Sequence, residues 1–135
     1  MVVDASVAVQ WFSREPGSGI AERLMGTELG LIAPDIMPVE AANAWWRKVR
    51  QQDMTRQDLD QAIVNLLALD ILLAPTLKLL TRATGLAAEL GHPVYDCVYL
   101  ALSAERGAPL ATVDVRLRKM ASRLGVGVWG PWPSS

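Results

Sequence analysis

Four short apolar runs, Val2-Val3, Leu29 to Ala33, Ile71 to Ala74 and Leu110 to Thr112, alternate with longer stretches whose apolar residues recur at helical spacing. Strands of this length and composition read as buried on both faces, and strands separated by helices are joined by right-handed crossovers into a parallel sheet. The expected fold class is α/β: a three-layer α/β/α arrangement around a central, mostly parallel sheet of four to five short strands. Val126 to Trp129 is the candidate for the last strand.

The helical stretches follow from periodicity and breakers. One carries Val7, Val9, Trp11 and Phe12, with Asp4 or Ser6 placed to cap it, and Glu15-Pro16-Gly17-Ser18-Gly19 breaks it. Others are expected from Ser18 to Met25, Ile36 to about Arg50, Gln57 to Leu69, and Pro75 toward Leu90. After Gly91-His92-Pro93 a further helix runs to Glu105 or Arg106, and Asp114 opens one carrying Leu117, Met120, Ala121 and Leu124. The 135 residues fit a single domain, 1–135, and 51% hydrophobic with 20% charged residues is a globular composition.

Charge and cysteine content narrow the function. A formal net charge of −1 gives no global basic field, so nucleic-acid contact has to be local, and four cations, Arg116, Arg118, Lys119 and Arg123, do cluster. Cys97 stands alone, which excludes an intramolecular disulfide and an all-cysteine zinc site. The start lacks signal-peptide character, and the longest apolar zone, Ala62 to Leu80, is broken by Asn65, Asp70, Pro75 and Lys78. The expectation is a cytoplasmic protein with no membrane span.

Chemistry enters through four acids. Ligands of an open parallel sheet gather outside the carboxyl ends of its strands, where Asp4 and Asp114 each follow a strand. Glu40 and Asp96 lie in the first turns of helices that begin at the same rim. On the helix from Ile36, a wheel puts Glu40, Asn43, Arg47 and Arg50 within a wedge of roughly 80°, with Val39, Ala42, Trp45, Trp46 and Val49 around the remainder. An acid followed by arginines suits a metal ligand followed by phosphate contacts. Gathered carboxylates need a compensating cation, and an all-oxygen donor set suits Mg²⁺ or Mn²⁺ rather than zinc.

Val3-Asp4-Ala5-Ser6, Pro38-Val39-Glu40, Tyr95-Asp96-Cys97-Val98-Tyr99-Leu100-Ala101-Leu102 and Thr112-Val113-Asp114 together resemble the PIN domain, specifically the VapC-like toxins of toxin–antitoxin pairs. The resemblance covers essentially the whole chain and implies a PIN-like fold. It also implies a Mg²⁺- or Mn²⁺-dependent endoribonuclease, often a homodimer, restrained by a cognate antitoxin. Carried over, Asp4, Glu40, Asp96 and Asp114 form the acidic metal site, and Ser6 and Thr112 support it by hydrogen bonding. Val115 stands where relatives often place a further acid. The resulting expectation is hydrolysis of an RNA phosphodiester by metal-activated water, with Arg47, Arg116, Arg118 and Lys119 as RNA contacts.

Other features read as ordinary. His92, alone and before Pro93, reads as a surface or capping residue outside catalysis, and Cys97 as a packed small side chain. Gly17-Ser18-Gly19 has Glu22 where a third glycine is required, so it is no dinucleotide fingerprint. Trp45 and Trp46 favour core or interface over base stacking, and Leu59, Ile63, Leu66, Leu67 and Leu69 suggest a dimer or antitoxin surface. Two rival functions remain: an aspartyl-phosphate phosphatase, disfavoured by Ser6 where a second acid is needed, and a PIN-like binding module that does not cut.

Overall fold

Two valines, Val2–Val3, form the central strand β1, and both are fully buried. The computed structural model describes residues 1–13 and 30–130; the helix expected from Ser18 to Met25 and the break before it lie outside them. After β1 come α1 (Ala5–Trp11), β2 (Leu31–Pro34), α2 (Met37–Arg50), α3 (Arg56–Leu67), β3 (Ile71–Ala74), a 3-10 turn (Thr76–Leu79), α4 (Leu80–Leu90), α5 (Val94–Arg106), β4 (Leu110–Ala111) and α6 (Val115–Arg123).

The strands are ordered β3-β2-β1-β4 and every pairing is parallel. Val2 sits opposite Ile32 on one side and Leu110 on the other, so β1 is held from both edges. The expected last strand is reduced to a single parallel bridge, Leu110 with Val128, made by Leu110 N donating to Gly127 O and Trp129 N to Leu110 O. Gly125 and Gly127 flank Val126, and a stretch so poor in side chains has little to pack on a sheet face.

Helices cover the sheet on both sides in three layers. In α5, Cys97 through Ser103 are all buried, as expected of a helix that is apolar around its whole circumference. It packs against β1, β2, β4 and α4, while α1 packs on α2 and α2 on α3. Truncating Leu100 or Leu102, each at most 1% exposed, to alanine removes about 2–5 kcal/mol of stability.

Several boundaries differ from the sequence reading for identifiable reasons. β2 runs through Pro34, whose missing N–H matters little at a strand's last position, and Asp35 N continues the ladder to Ala74 O at 2.8 Å. Pro75 opens a 3-10 turn before α4 rather than the helix itself. Thr55 caps α3 by accepting from Asp58 N, which starts that helix one residue early. Neither Asp4 nor Ser6 caps α1 through its side chain, because both are engaged elsewhere.

The α2 wheel needs a larger correction. Trp45 is core, its indole N–H donating to Val9 O, but Val39 is 66% and Trp46 46% exposed. The core covers a narrower stripe than the apolar residues span. The proposed α3 surface also divides: Leu59 and Leu66 are buried, Ile63 and Leu69 half-buried, and among these five only Leu67 stands out in solvent, beside Val64.

Candidate active site

β1 and β4 end side by side, and at that rim the side chain of Asp4 turns inward. It is buried, and its Oδ2 accepts hydrogen bonds from Thr112 Oγ1 at 2.7 Å and Ser6 Oγ at 2.8 Å. The hydroxyls are themselves oriented: Thr112 accepts from Asp114 N at 3.1 Å, and Ser6 accepts from Val113 N at 3.1 Å. Each hydroxyl has one proton, and with its lone pairs facing backbone N–H groups that proton is aimed at Asp4. Burial nevertheless raises the Asp4 pKa above its ordinary value, the two hydroxyl bonds oppose the rise, and the charge of Asp96 adds to it.

Glu40 approaches from β2. The turn that launches α2 is tied to the next crossover, since Asp35 Oδ1 accepts from Thr76 N and Ile36 N donates to Thr76 Oγ1. Those two bonds fix where α2 begins, and so place Glu40 in its first turn. Tyr99, buried in α5, donates its hydroxyl to Glu40 Oε1 at 2.6 Å. Burial raises the Glu40 pKa first, the Tyr99 bond lowers it, and the charges of Asp4 and Asp96 raise it again. The Tyr99 hydroxyl is held far above its ordinary value, by burial and then by Asp4 and Glu40, so it stays a donor.

Asp96 occupies the first turn of α5. Its Oδ2 lies 2.7 Å from His92 Nε2, and the His92 side chain is 2% exposed. This overturns the reading of His92 as a surface or capping residue. Gly91 ends α4 in the left-handed conformation at φ 63°, His92 N bonds back to Ala87 O, and the reversal directs the imidazole inward. The signal was present in the four-residue spacing of His92 and Asp96, but a histidine next to proline in a turn carries no marker of burial. Tyr99 was likewise missed as a site residue; it follows Asp96 by three positions, one helical turn.

Asp114 behaves differently. Its Oδ1 caps α6, accepting from Arg116 N at 2.9 Å and Leu117 N at 3.4 Å, and its link to Asp4 runs through Thr112. Asp4, Glu40 and Asp96 are thus close enough for their charges to act on one another, whereas Asp114 joins them at one remove. Among the described residues no three His, Cys, Asp or Glu side chains close around a point as a ready-made metal cage. The donor set fits a hard divalent ion in chemistry: oxygen-only, partly desolvated and mutually repelling.

Of the remaining candidates, Asn43 and Arg47 are exposed on α2, and Arg116 and Lys119 are exposed and Arg118 half-buried on α6. Arg118, Lys119 and Arg123 line a shallow cavity of about 440 Å³ with Val115, Ser122 and Val128. The Cys97 thiol is buried, and burial followed by the charge of Asp96 pushes its pKa up, away from nucleophile chemistry. Among the described residues no helix is long and apolar enough to cross a membrane.

Residues 1–123 match the PIN domain family. The chain is 34% identical over 118 residues to ribonuclease VapC12 of Mycobacterium tuberculosis, an alignment covering 87% of this chain and 88% of that protein. Among solved structures, Mycobacterium tuberculosis VapC20, a toxin that cleaves the sarcin-ricin loop, superposes with a TM-score of 0.73 at 15% identity over 96% of this chain and 98% of its own. PAE2754 of Pyrobaculum aerophilum superposes with a TM-score of 0.70 at 22% identity, covering 88% of this chain and 77% of its own. At these identities the two structures speak to the fold.

Proposed function

Because this chain belongs to the PIN domain family and its VapC-type ribonucleases, we propose that it is a metal-dependent endoribonuclease, the toxin of a toxin–antitoxin pair acting in the cytoplasm. The observation that carries the reading is the buried Asp4 carboxylate, steadied by two oriented hydroxyls and under the influence of a second acid. Burying a charge that neighbours Asp96 and Glu40 is costly, and among the described residues no cation is bonded to it.

Asp4, Glu40 and Asp96 would hold Mg²⁺ or Mn²⁺, with Asp114 contributing through its second oxygen, directly or across a water. When bound, the ion supplies Lewis-acid charge that activates water and offsets the charge of the phosphodiester. The chain supplies the rest. Ser6 and Thr112 fix Asp4 and favour its ionised form, Tyr99 holds Glu40, and Arg47, Arg116, Arg118 and Lys119 offer local cations to the RNA backbone. Hydrolysis then leaves a 5′-phosphate and a 3′-hydroxyl. Exposed Leu67, Val64, Leu72, Leu73 and Leu77 supply apolar surface for the antitoxin or a second copy of the chain.

Cleavage mapping on total cellular RNA with added Mg²⁺ tests the reading. Wild type should cut, while EDTA or Asp4→Asn should abolish cutting; cleavage that persists in EDTA overturns it. The binding-module alternative predicts no cleavage and no calorimetric metal binding that depends on Asp96.

A further inference from the structure

Among the described residues, His92 is the polar side chain bonded to the acidic group that the proposed function does not use. Its imidazole is 2% exposed, Nε2 lies 2.7 Å from Asp96 Oδ2, and Nδ1 is buried with no partner among the described residues. A carboxylate only accepts, so the proton of this bond sits on Nε2, and Nδ1 takes no part in it. An orphaned polar atom in the interior costs stability, so the ring is not placed there for satisfaction alone.

Asp96 tells the same story from its own side. Asp96 is the third residue of α5, and the N-cap there, Pro93, has no N–H to which an acid at that position could bond back. At α5 no side chain caps the backbone, and Asp96 is drawn to His92 instead. Its Oδ1 accepts no hydrogen bond among the described residues, and its charge is felt at both Asp4 and Glu40. The His92 bond thus occupies one oxygen and leaves the other for the shared site.

We propose that His92 is a positioning residue for Asp96: by donating from Nε2 it fixes the carboxylate in the orientation that receives the divalent ion. The proposal rests on the metal-site reading above. Partners of metal-ligating groups typically contribute a factor of about 10–100 in metal affinity. Glutamine places an amide donor near the position of Nε2, whereas asparagine falls short and phenylalanine fills the space without a donor.

Calorimetric titration of Mn²⁺ into the full chain, with melting in EDTA alongside, tests it on wild type, His92→Phe, His92→Asn, His92→Gln and Asp96→Asn. The Phe and Asn variants should bind about 10–100-fold more weakly, and Gln should restore most of the loss. A merely structural role would lower the EDTA melting temperature and leave the affinity of the folded variants unchanged. A folded Phe or Asn variant that binds like wild type overturns the proposal, as does a Gln variant no better than Phe. Should Phe fail to fold, the smaller polar Asn carries the test. If Asp96→Asn also binds like wild type, the metal-site reading itself has failed; if it alone loses binding, only the role of His92 has.

Discussion

Asp4 and Asp114 occupy equivalent places in the topology and end in different states. Each follows a two-residue strand, β1 or β4, and each takes the extended N-cap conformation before a helix, at φ −77°, ψ 152° and φ −76°, ψ 112°. Asp114 caps its helix. Asp4 does not, because Thr112 and Ser6 present two hydroxyl protons to its Oδ2 and draw the carboxylate into the interior. The lesson is that topology delivers an acid to the rim, and its hydrogen-bond donors decide whether it serves the backbone or the site.

The widest gap between the two should appear on neutralising each. Asp4→Asn should reduce RNA cleavage to background while the protein stays folded, as read by cleavage assay and circular dichroism; retained activity would erase the distinction. Removing the donors that divert Asp4 should come next. Thr112→Val is expected to weaken metal affinity by about 10–100-fold and to destabilise by about 1–3 kcal/mol, since Asp4 and Asp114 N each lose a partner, with Thr112→Ser recovering both.

Asp114→Asn separates capping from ligation, because asparagine caps as well as aspartate. Cleavage should fall by about tenfold or less with the melting temperature unchanged, while Asp114→Ala should also lose about 1 kcal/mol of stability. A loss as deep as that of Asp4→Asn would make the two acids equals after all.

The smallest effect is one of pH. The folded Asp4 pKa is raised above its ordinary 3.8, chiefly by burial, so the folded state takes up a proton more readily than the unfolded. Its ionisation therefore destabilises the metal-free protein at neutral pH, and this penalty fades as pH falls through the raised value toward 3.8. In EDTA, Asp4→Asn should melt a few degrees above wild type at neutral pH, with the difference closing as pH falls. A difference constant across that range would show that burial is not the cause.

The sequence made the placement of these acids legible and left their orientation obscure. Val2-Val3 before Asp4, and Pro93 shortly before Asp96, located both at the sheet rim, because strand ends and helix starts leave marks in residue type. Which way a carboxylate turns depends on donors supplied from afar: Thr112 is 108 positions from Asp4, and Tyr99 is 59 from Glu40. No local pattern encodes such pairs. The same limit explains His92, whose burial comes from the α4–α5 reversal, and Val39 and Trp46, which a wheel assigns to the apolar side but which no described element covers.

The bond from Thr112 to Asp4 also has a consequence in time. A chain emerging from the ribosome offers Asp4 early, yet the hydroxyl that orients it and the strand that pairs with Val2-Val3 arrive only when residues 110–112 appear. Contacts so distant in sequence are slow to close. A nascent or prematurely terminated chain therefore lacks the arrangement on which the proposed cleavage depends.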